Sequence, residues 1–371
     1  MDKKKILIVS RSFFPENSPR SFRTTELVKE FCRMGHSVTL YTFRQENLHQ
    51  PIEKEFGVTI KDLGAMKFPL INLSKGGKYA VLLKRIFNRL LLMLFEYPEI
   101  ELMFKVCSAL KKENGYDLLI SVAVPHPVHW GTAWARTKKN PIASTWVADC
   151  GDAYMGVVGH DSFSKLFYFK YLEKWFCRKA DFIAIPKLGM KVNYYPEFHY
   201  KMIEIPQGFK FDDIKFDKQV PDNKIPTFAF AGVFMKNTRN PSPLLDILAK
   251  SNKDFRFVVY TRTTDLLQPY INRLKEKLDV RPYIPRLDLL KELSKMDFLV
   301  NIGFDPEQQA PSKLIDYYLT GRPILSSLDN NFDDKTVLQF LQADYSGAFQ
   351  YGNIDHYRIE NVCASFLKLI K

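Results

Sequence analysis

The sequence has little that would mark a secreted, membrane-spanning or cofactor-dependent redox protein. Its five cysteines, Cys32, Cys107, Cys150, Cys177 and Cys363, are scattered with no C-x-x-C pair, so they read as reduced thiols. The start, MDKKKILIVS, lacks the signal-peptide plan of basic residues, apolar stretch and small-residue cleavage site. Residues 118–135, LLISVAVPHPVHWGTAWA, carry no charge but contain two prolines, two histidines and a glycine, which suits strand, turn and helix better than a bilayer span. No strand-like run is followed by G-x-G-x-x-G, which disfavours a nicotinamide enzyme. Short repeats and low-complexity tracts are missing, and no nucleic-acid motif or stacking cluster accompanies the basic residues. These absences leave a cytosolic protein with no nucleic-acid partner.

What is present is enough apolar sequence for two ordinary domains. The chain has 371 residues, 46% hydrophobic and 26% charged, with 30 Phe and 18 Tyr. Its net charge of +13 is uneven, because residues 1–200 hold 30 basic and 19 acidic side chains, a net of +11. Apolar β-rich runs alternate with helix-period segments: KILIVS, SVTLYT, YDLLISV, PIASTWVAD and DFIAIP in the first half, TFAFAG, FRFVVYT, DFLVNIG and RPILSS in the second. Between Phe22 and Met34, for instance, Leu27, Val28, Phe31 and Met34 share one side of a helix. Strand, helix, strand in repetition predicts parallel sheets covered on both faces, an α/β class. Residues 205–226, IPQGFKFDDIKFDKQVPDNKIP, are rich in Pro, Lys and Asp with no sustained period and read as a linker.

In open α/β sheets ligands sit beyond the carboxyl ends of the strands. One stretch there, PSKLIDYYLTGRPIL at 311–325, has the plan of a helix over about 311–320. Pro311 suits its first position, Gly321 its left-handed end and Pro323 its termination. Leu314, Ile315, Tyr318 and Leu319 are expected to form its buried stripe. Unpaired N–H groups at the helix start that Pro311 opens, those of Ser312 and Lys313, joined by the lysine charge, suit an anion. Asp316, one turn in, suits a ribose diol offering two donors; equally, it can complement the helix N-terminus while Lys313 stays solvated.

In its wider setting the segment DFLVNIGFDPEQQAPSKLIDYYLTGRPIL resembles the donor site of glycosyltransferase family 4. Three more stretches extend the resemblance over most of the chain: IEIPQGFKFDDIKF, FAFAGVFMKNTRNPSPLLDIL, and SRSFFPENSPRSFRTTELVKEFCRMGHSVTLYT. The resemblance implies a GT-B fold, two Rossmann-like doubly wound domains facing across a cleft. Residues 1–208 would bind the acceptor, 209–354 the nucleotide-sugar donor, and 355–371 would form a helix packing back on the first domain. It implies a retaining transfer of sugar from a nucleoside diphosphate to a glycan or lipid-linked acceptor in cell-surface polysaccharide synthesis, with no metal or other cofactor.

Carried over by position, Asp316 matches the second acid of the family's E-x7-E pattern. Gln308 stands where the first is expected, with Glu307 beside it. In the loop after TFAFA, Gly232 is retained. Val233 replaces a usual basic residue, and Arg239, with Lys236 before it, is expected on the diphosphate. Tyr283 and Ile284 in RPYIPRLDL are expected near the base, though their side chains also suit a core. Asn17, Ser18 and Pro19 replace the family's Gly-Gly, and Arg20 and Arg23, opposing a helix dipole, invite an anionic partner. Asp149 and Asp152 in WVADCGDAY, with His126 in VPHPVHW and Gln308, are the candidate catalytic residues. Asp152 also suits a helix cap, and His126 and His129 also suit a structural role. A non-hydrolysing nucleotide-sugar epimerase and a nucleotide-sugar-binding protein without catalysis remain alternative readings. Residues 78–98, KYAVLLKRIFNRLLLMLFEYP, suit either a packed helix or one lying on an anionic membrane surface, which would place the protein at the inner membrane face.

Overall fold

Strands with apolar residues at nearly every position can be stable only when both sheet faces are covered, and the computed structural model is built that way. It describes residues 2–73, 77–156, 165–213, 222–303, 312–327, 329–350 and 352–371. The chain runs β1 (Lys5–Ser10), α1 (Pro19–Arg33), β2 (Ser37–Thr42), α2 (Glu46–Phe56), β3 (Thr59–Asp62), α3 (Lys78–Phe95), α4 (Glu101–Leu110) and β4 (Tyr116–Ala123). Next come α5 (Pro127–Ala135), β5 (Ala143–Cys150), α6 (Phe169–Lys179), β6 (Phe182–Ile185) and β7 (Met202–Glu204). It continues with β8 (Thr227–Ala231), α7 (Ser242–Lys250), β9 (Arg256–Tyr260), α8 (Gln268–Leu274), β10 (Leu278–Arg281) and α9 (Arg286–Leu293). The last elements are β11 (Phe298–Ile302), α10 (Ser312–Leu319), β12 (Ile324–Ser327), α11 (Asp334–Phe340) and α12 (Ile359–Leu367). The uncharged stretch at 118–135 is strand, turn and helix, with Pro127 opening α5. Among the described residues no helix is long and apolar enough to cross a membrane.

Two compact units result, Met1–Phe209 with His356–Lys371, and Lys210–Asp355. The boundaries expected at 208/209 and 354/355 each lie one residue away. The first unit holds a sheet of order β3-β2-β1-β4-β5-β6-β7, and the second one of order β10-β9-β8-β11-β12. Every strand pair named for them is parallel. In each, the chain starts in the middle of the sheet, winds one way and then returns to wind the other. The reversal falls between β1 and β4 in the first unit and between β8 and β11 in the second, and it leaves a crevice at the carboxyl ends of those strands.

Alternation along the strands divides the cores. Ile6 and Ile8 join Leu27, Val28 and Phe31 of α1 and Ile359, Val362 and Phe366 of α12 on one face of the first sheet. Leu7 and Val9 join Trp130, Trp146 and Phe176 on the other. The terminal helix α12 therefore completes the first unit, with Phe366 6.4 Å from Phe31 between ring centroids. In the second unit, Phe228 and Phe230 of β8 point to a face rich in phenylalanine, where Phe228 stacks on Phe298 at 4.4 Å. Ala229 and Ala231 point to the opposite face, and their small side chains leave room for α10.

Candidate functional site

The switch point of the second unit brings together the loop after β8 and the helix α10, which follows β11. Leu314, Ile315 and Tyr317 anchor α10. The expected stripe is corrected at one position, for Tyr318 is 43% exposed while Tyr317 is buried. The cause is the alanine face of β8, because the Tyr317 hydroxyl fits there and accepts a 2.8 Å hydrogen bond from the Ala231 N–H. This tie fixes the second half of α10 against the end of β8. The helix ends as its sequence requires, with Gly321 at φ +71° and its N–H on the Tyr318 carbonyl.

Across the same point, Gly232 adopts φ +147°, and a Cβ there would sit 3.5 Å from Lys313 Nζ. The following loop folds on itself: Met235 and Arg239 exchange backbone hydrogen bonds at 3.2 and 2.9 Å, and Phe234 stacks on Phe230 at 4.4 Å. Gly303, at the end of β11 with φ +54°, lets this loop settle, since a Cβ would lie 1.8 Å from the Thr238 carbonyl oxygen. Asn330 Oδ1 accepts from the Asn240 N–H at 3.1 Å and holds the loop's far end.

Two cations converge here. Lys313 Nζ lies 3.6 Å from the Phe230 ring centroid and 5.3 Å from that of Tyr317. Burial, with the charge of Arg239 adding to it, holds its ammonium well below the ordinary lysine range. Burial likewise lowers Arg239. Among the described residues neither side chain has a hydrogen-bond acceptor or a carboxylate partner. Lys236 is exposed on the loop.

Asp316 is held by a residue that the sequence analysis did not assign. Arg286, at the start of α9, sends Nε to both carboxylate oxygens at 3.1 Å and Nη2 to Oδ1. Burial pushes the Asp316 carboxyl up from the ordinary range and the arginine charge opposes that shift. Oδ2, which accepts only one of these bonds, keeps a lone pair that the guanidinium does not use. Beyond the ends of β9 and β10, Tyr283 is exposed with the Arg262 guanidinium 4.2 Å from its ring centroid. Ile284 instead packs on the core beneath α10. Glu307, Gln308, Pro311 and the Ser312 side chain lie outside the described residues.

In the first unit several expectations are corrected. Arg23 and Asp149, each side chain 3% exposed, form a two-point ion pair, Nε to Oδ2 and Nη2 to Oδ1, both 2.9 Å. Arg23 also donates to the carbonyls of Ile205 and Pro206. Asp149 is thus no accessible catalytic group and Arg23 no free anion ligand, because each satisfies the other inside the core. His126 is a packed histidine whose ring lies 4.9 Å from that of Tyr154 and whose Nε2 is 3.2 Å from the Asp152 carbonyl. Burial, with His129 beside it, holds its pKa well below the ordinary histidine range, and its ring is enclosed and not open to solvent. His129 is enclosed too, with Nδ1 2.8 Å from Ser121 Oγ.

Asp152 remains exposed, and among the described residues it caps no helix, the next being α6 from Phe169. Asn17 is exposed and is not free of partners. Ser18 caps α1 by accepting from the Ser21 N–H at 3.2 Å. Arg20, in the first turn of that helix, lays its guanidinium where a Gly151 side chain would stand, with Nη2 1.2 Å from the Cβ position. It has no carboxylate partner among the described residues.

No family model matches this chain, and no curated protein sequence does. Solved structures match along its whole length. Lipopolysaccharide outer core galactosyltransferase WaaB in its apo form shares 14% identity and a TM-score of 0.54 over 98% of this chain and 95% of that one. Anabaena Alr3699/HepE, solved with UDP and again with UDP-glucose, shares 10% and, for the UDP complex, 0.55 over 99% and 96%. A putative UDP-N-acetylglucosamine 2-epimerase from Listeria monocytogenes shares 13% and 0.51 over 100% and 96%. At such identities the likeness speaks for architecture, and the architecture of this chain is GT-B, two Rossmann-like α/β units each built on a parallel sheet.

Proposed function

We propose that this chain is a nucleotide-sugar-dependent glycosyltransferase of the retaining family 4 type, whose second unit holds the donor at the β8–β11 switch point. One observation carries the reading: Lys313 stands beside a side-chain-free Gly232 and within reach of the Arg239 charge, and among the described residues neither cation has an anionic partner. Two close, partly desolvated cations are unfavourable unless an anion joins them, and a diphosphate supplies two charges in the form a guanidinium binds best. Asp316, steadied by Arg286, accepts from the ribose hydroxyls, and the backbone near Tyr283 and Ile284 meets the base. As the glycosidic bond to phosphate breaks, charge grows on the leaving oxygen, and the cations with the start of α10 stabilise it without rearranging. No metal is required of such a site. The acceptor is a glycan or lipid-linked glycan, and the setting is cell-surface polysaccharide synthesis. The fold shared with a protein solved with UDP-glucose supports a nucleotide-sugar donor.

Calorimetric titration with uridine, guanosine, adenosine and cytidine diphosphates tests the donor site. One of them binds, and Asp316→Ala weakens it by about 1–3 kcal/mol, the scale of hydrogen bonds to a charged acceptor. Failure of all four to bind would sink the reading. The fold shared with a 2-epimerase favours a second possibility, epimerisation. That activity consumes the donor with no acceptor added, whereas a transferase leaves it intact.

A further inference from the structure

A helix that packs on a core turns its apolar side inward, and α3 does the reverse. No residue of its eighteen is buried. Tyr79, Leu82, Leu83, Ile86, Phe87 and Leu90 recur at helical spacing and share one stripe, with exposures of 83% at Tyr79, 66% at Leu83 and 57% at Phe87. At about 100° per residue these six span an arc of roughly 140°. The opposite, partly covered side is formed by Val81, Lys84, Asn88 and Leu91. Lys78, Arg85 and Arg89 line one border of the arc, Lys84 the other, and α3 contains no acidic residue. Where α3 ends, the Tyr168 hydroxyl donates to the Leu94 carbonyl, and the neighbouring Phe167 is exposed, so the apolar surface continues past the helix.

We propose that α3 docks this protein flat on an anionic lipid bilayer surface. The charge arrangement selects that occupant. Cations flanking an exposed apolar stripe match a surface whose phosphates surround an acyl interior, with aliphatic and aromatic tips entering and ammonium or guanidinium groups resting at headgroup level. A second copy of α3 would instead bring like charges together. The net +11 of residues 1–200 adds long-range attraction. Spanning is ruled out for α3 by its four cations.

Flotation of the full chain with phosphatidylcholine vesicles, and with the same vesicles containing phosphatidylglycerol, tests the proposal. Capture by the anionic vesicles at low salt, lost at high salt and absent from the neutral ones, is expected. Leu83→Glu with Phe87→Glu lowers the partition at least about tenfold, because two apolar side chains no longer enter the bilayer. Its melting temperature stays that of the wild type, since neither residue is buried. Should that variant fold poorly, Arg85→Glu serves, weakening capture by anionic vesicles alone. Equal capture by both vesicles, capture by neither, or a lipid-free dimer that the double variant dissolves overturns the proposal.

Discussion

Arg23 and Asp149 face each other across 126 residues of sequence and close a fully enclosed two-point ion pair. Two more guanidinium hydrogens bind the carbonyls of Ile205 and Pro206, so the pair ties α1 and β5 to the chain beyond β7. Removing one partner strands a buried charge. Asp149→Ala is expected to lower unfolding free energy by about 3–5 kcal/mol. Replacing both residues with apolar ones should cost less than either single truncation, although the two carbonyls then lose their donor. Urea titration of the three variants checks this; a single variant within experimental error of wild type would show that the ion pair is not structural.

Gly303 makes room for the loop that carries Arg239. Its φ of +54° and the 1.8 Å separation between a Cβ there and the Thr238 carbonyl oxygen leave no side chain an unstrained place. Gly303→Ala should destabilise the protein by about 3 kcal/mol and lift the loop, with at least a tenfold loss of nucleoside diphosphate affinity. Gly321→Ala is the matched control. Its φ is +71°, but nothing lies within 4 Å of the new methyl, so only the backbone preference is lost, about 1 kcal/mol, and affinity holds. Melting curves and calorimetry on both variants separate the two effects. Equal behaviour of the two would mean that the loop adapts.

The sequence discloses what local pattern controls. All nine strand-like runs form strands, and the described residues hold three more that no apolar run announces: β3 (TIKD), β7 (MIE) and β10 (LDVR). Each of these lies at the edge of its sheet, where a short strand with charged residues is favoured because it blunts edge pairing, and so it carries no apolar run to read. The α10 helix was legible from its caps, but the choice between Tyr317 and Tyr318 depended on the two alanines of β8, a packing fact held elsewhere in the chain. Arg286 belongs to the same class. It lies 30 residues before Asp316, and only the tertiary fold makes them partners. Asp149 marks the opposite limit, a carboxylate at a strand's carboxyl end where ligands gather, yet enclosed by an arginine contributed from α1.

Lys313 supplies the last expectation, because its proton is held weakly. Burial, with the neighbouring Arg239 charge adding to it, holds the pKa well below that of an exposed lysine. A bound phosphate reverses the balance by placing negative charge beside the nitrogen. Between the lowered value of the free protein and the raised value of the complex, the complex binds more protons, so affinity must fall as pH rises through that window. Calorimetry of nucleoside diphosphate binding in buffers of different ionisation enthalpy should register uptake of up to about one proton per site. Lys313→Met should abolish the uptake, remove its share of the pH dependence and weaken binding at least about tenfold. Affinity and proton linkage left unchanged by Lys313→Met would place the phosphates away from this lysine, and with it away from the start of α10.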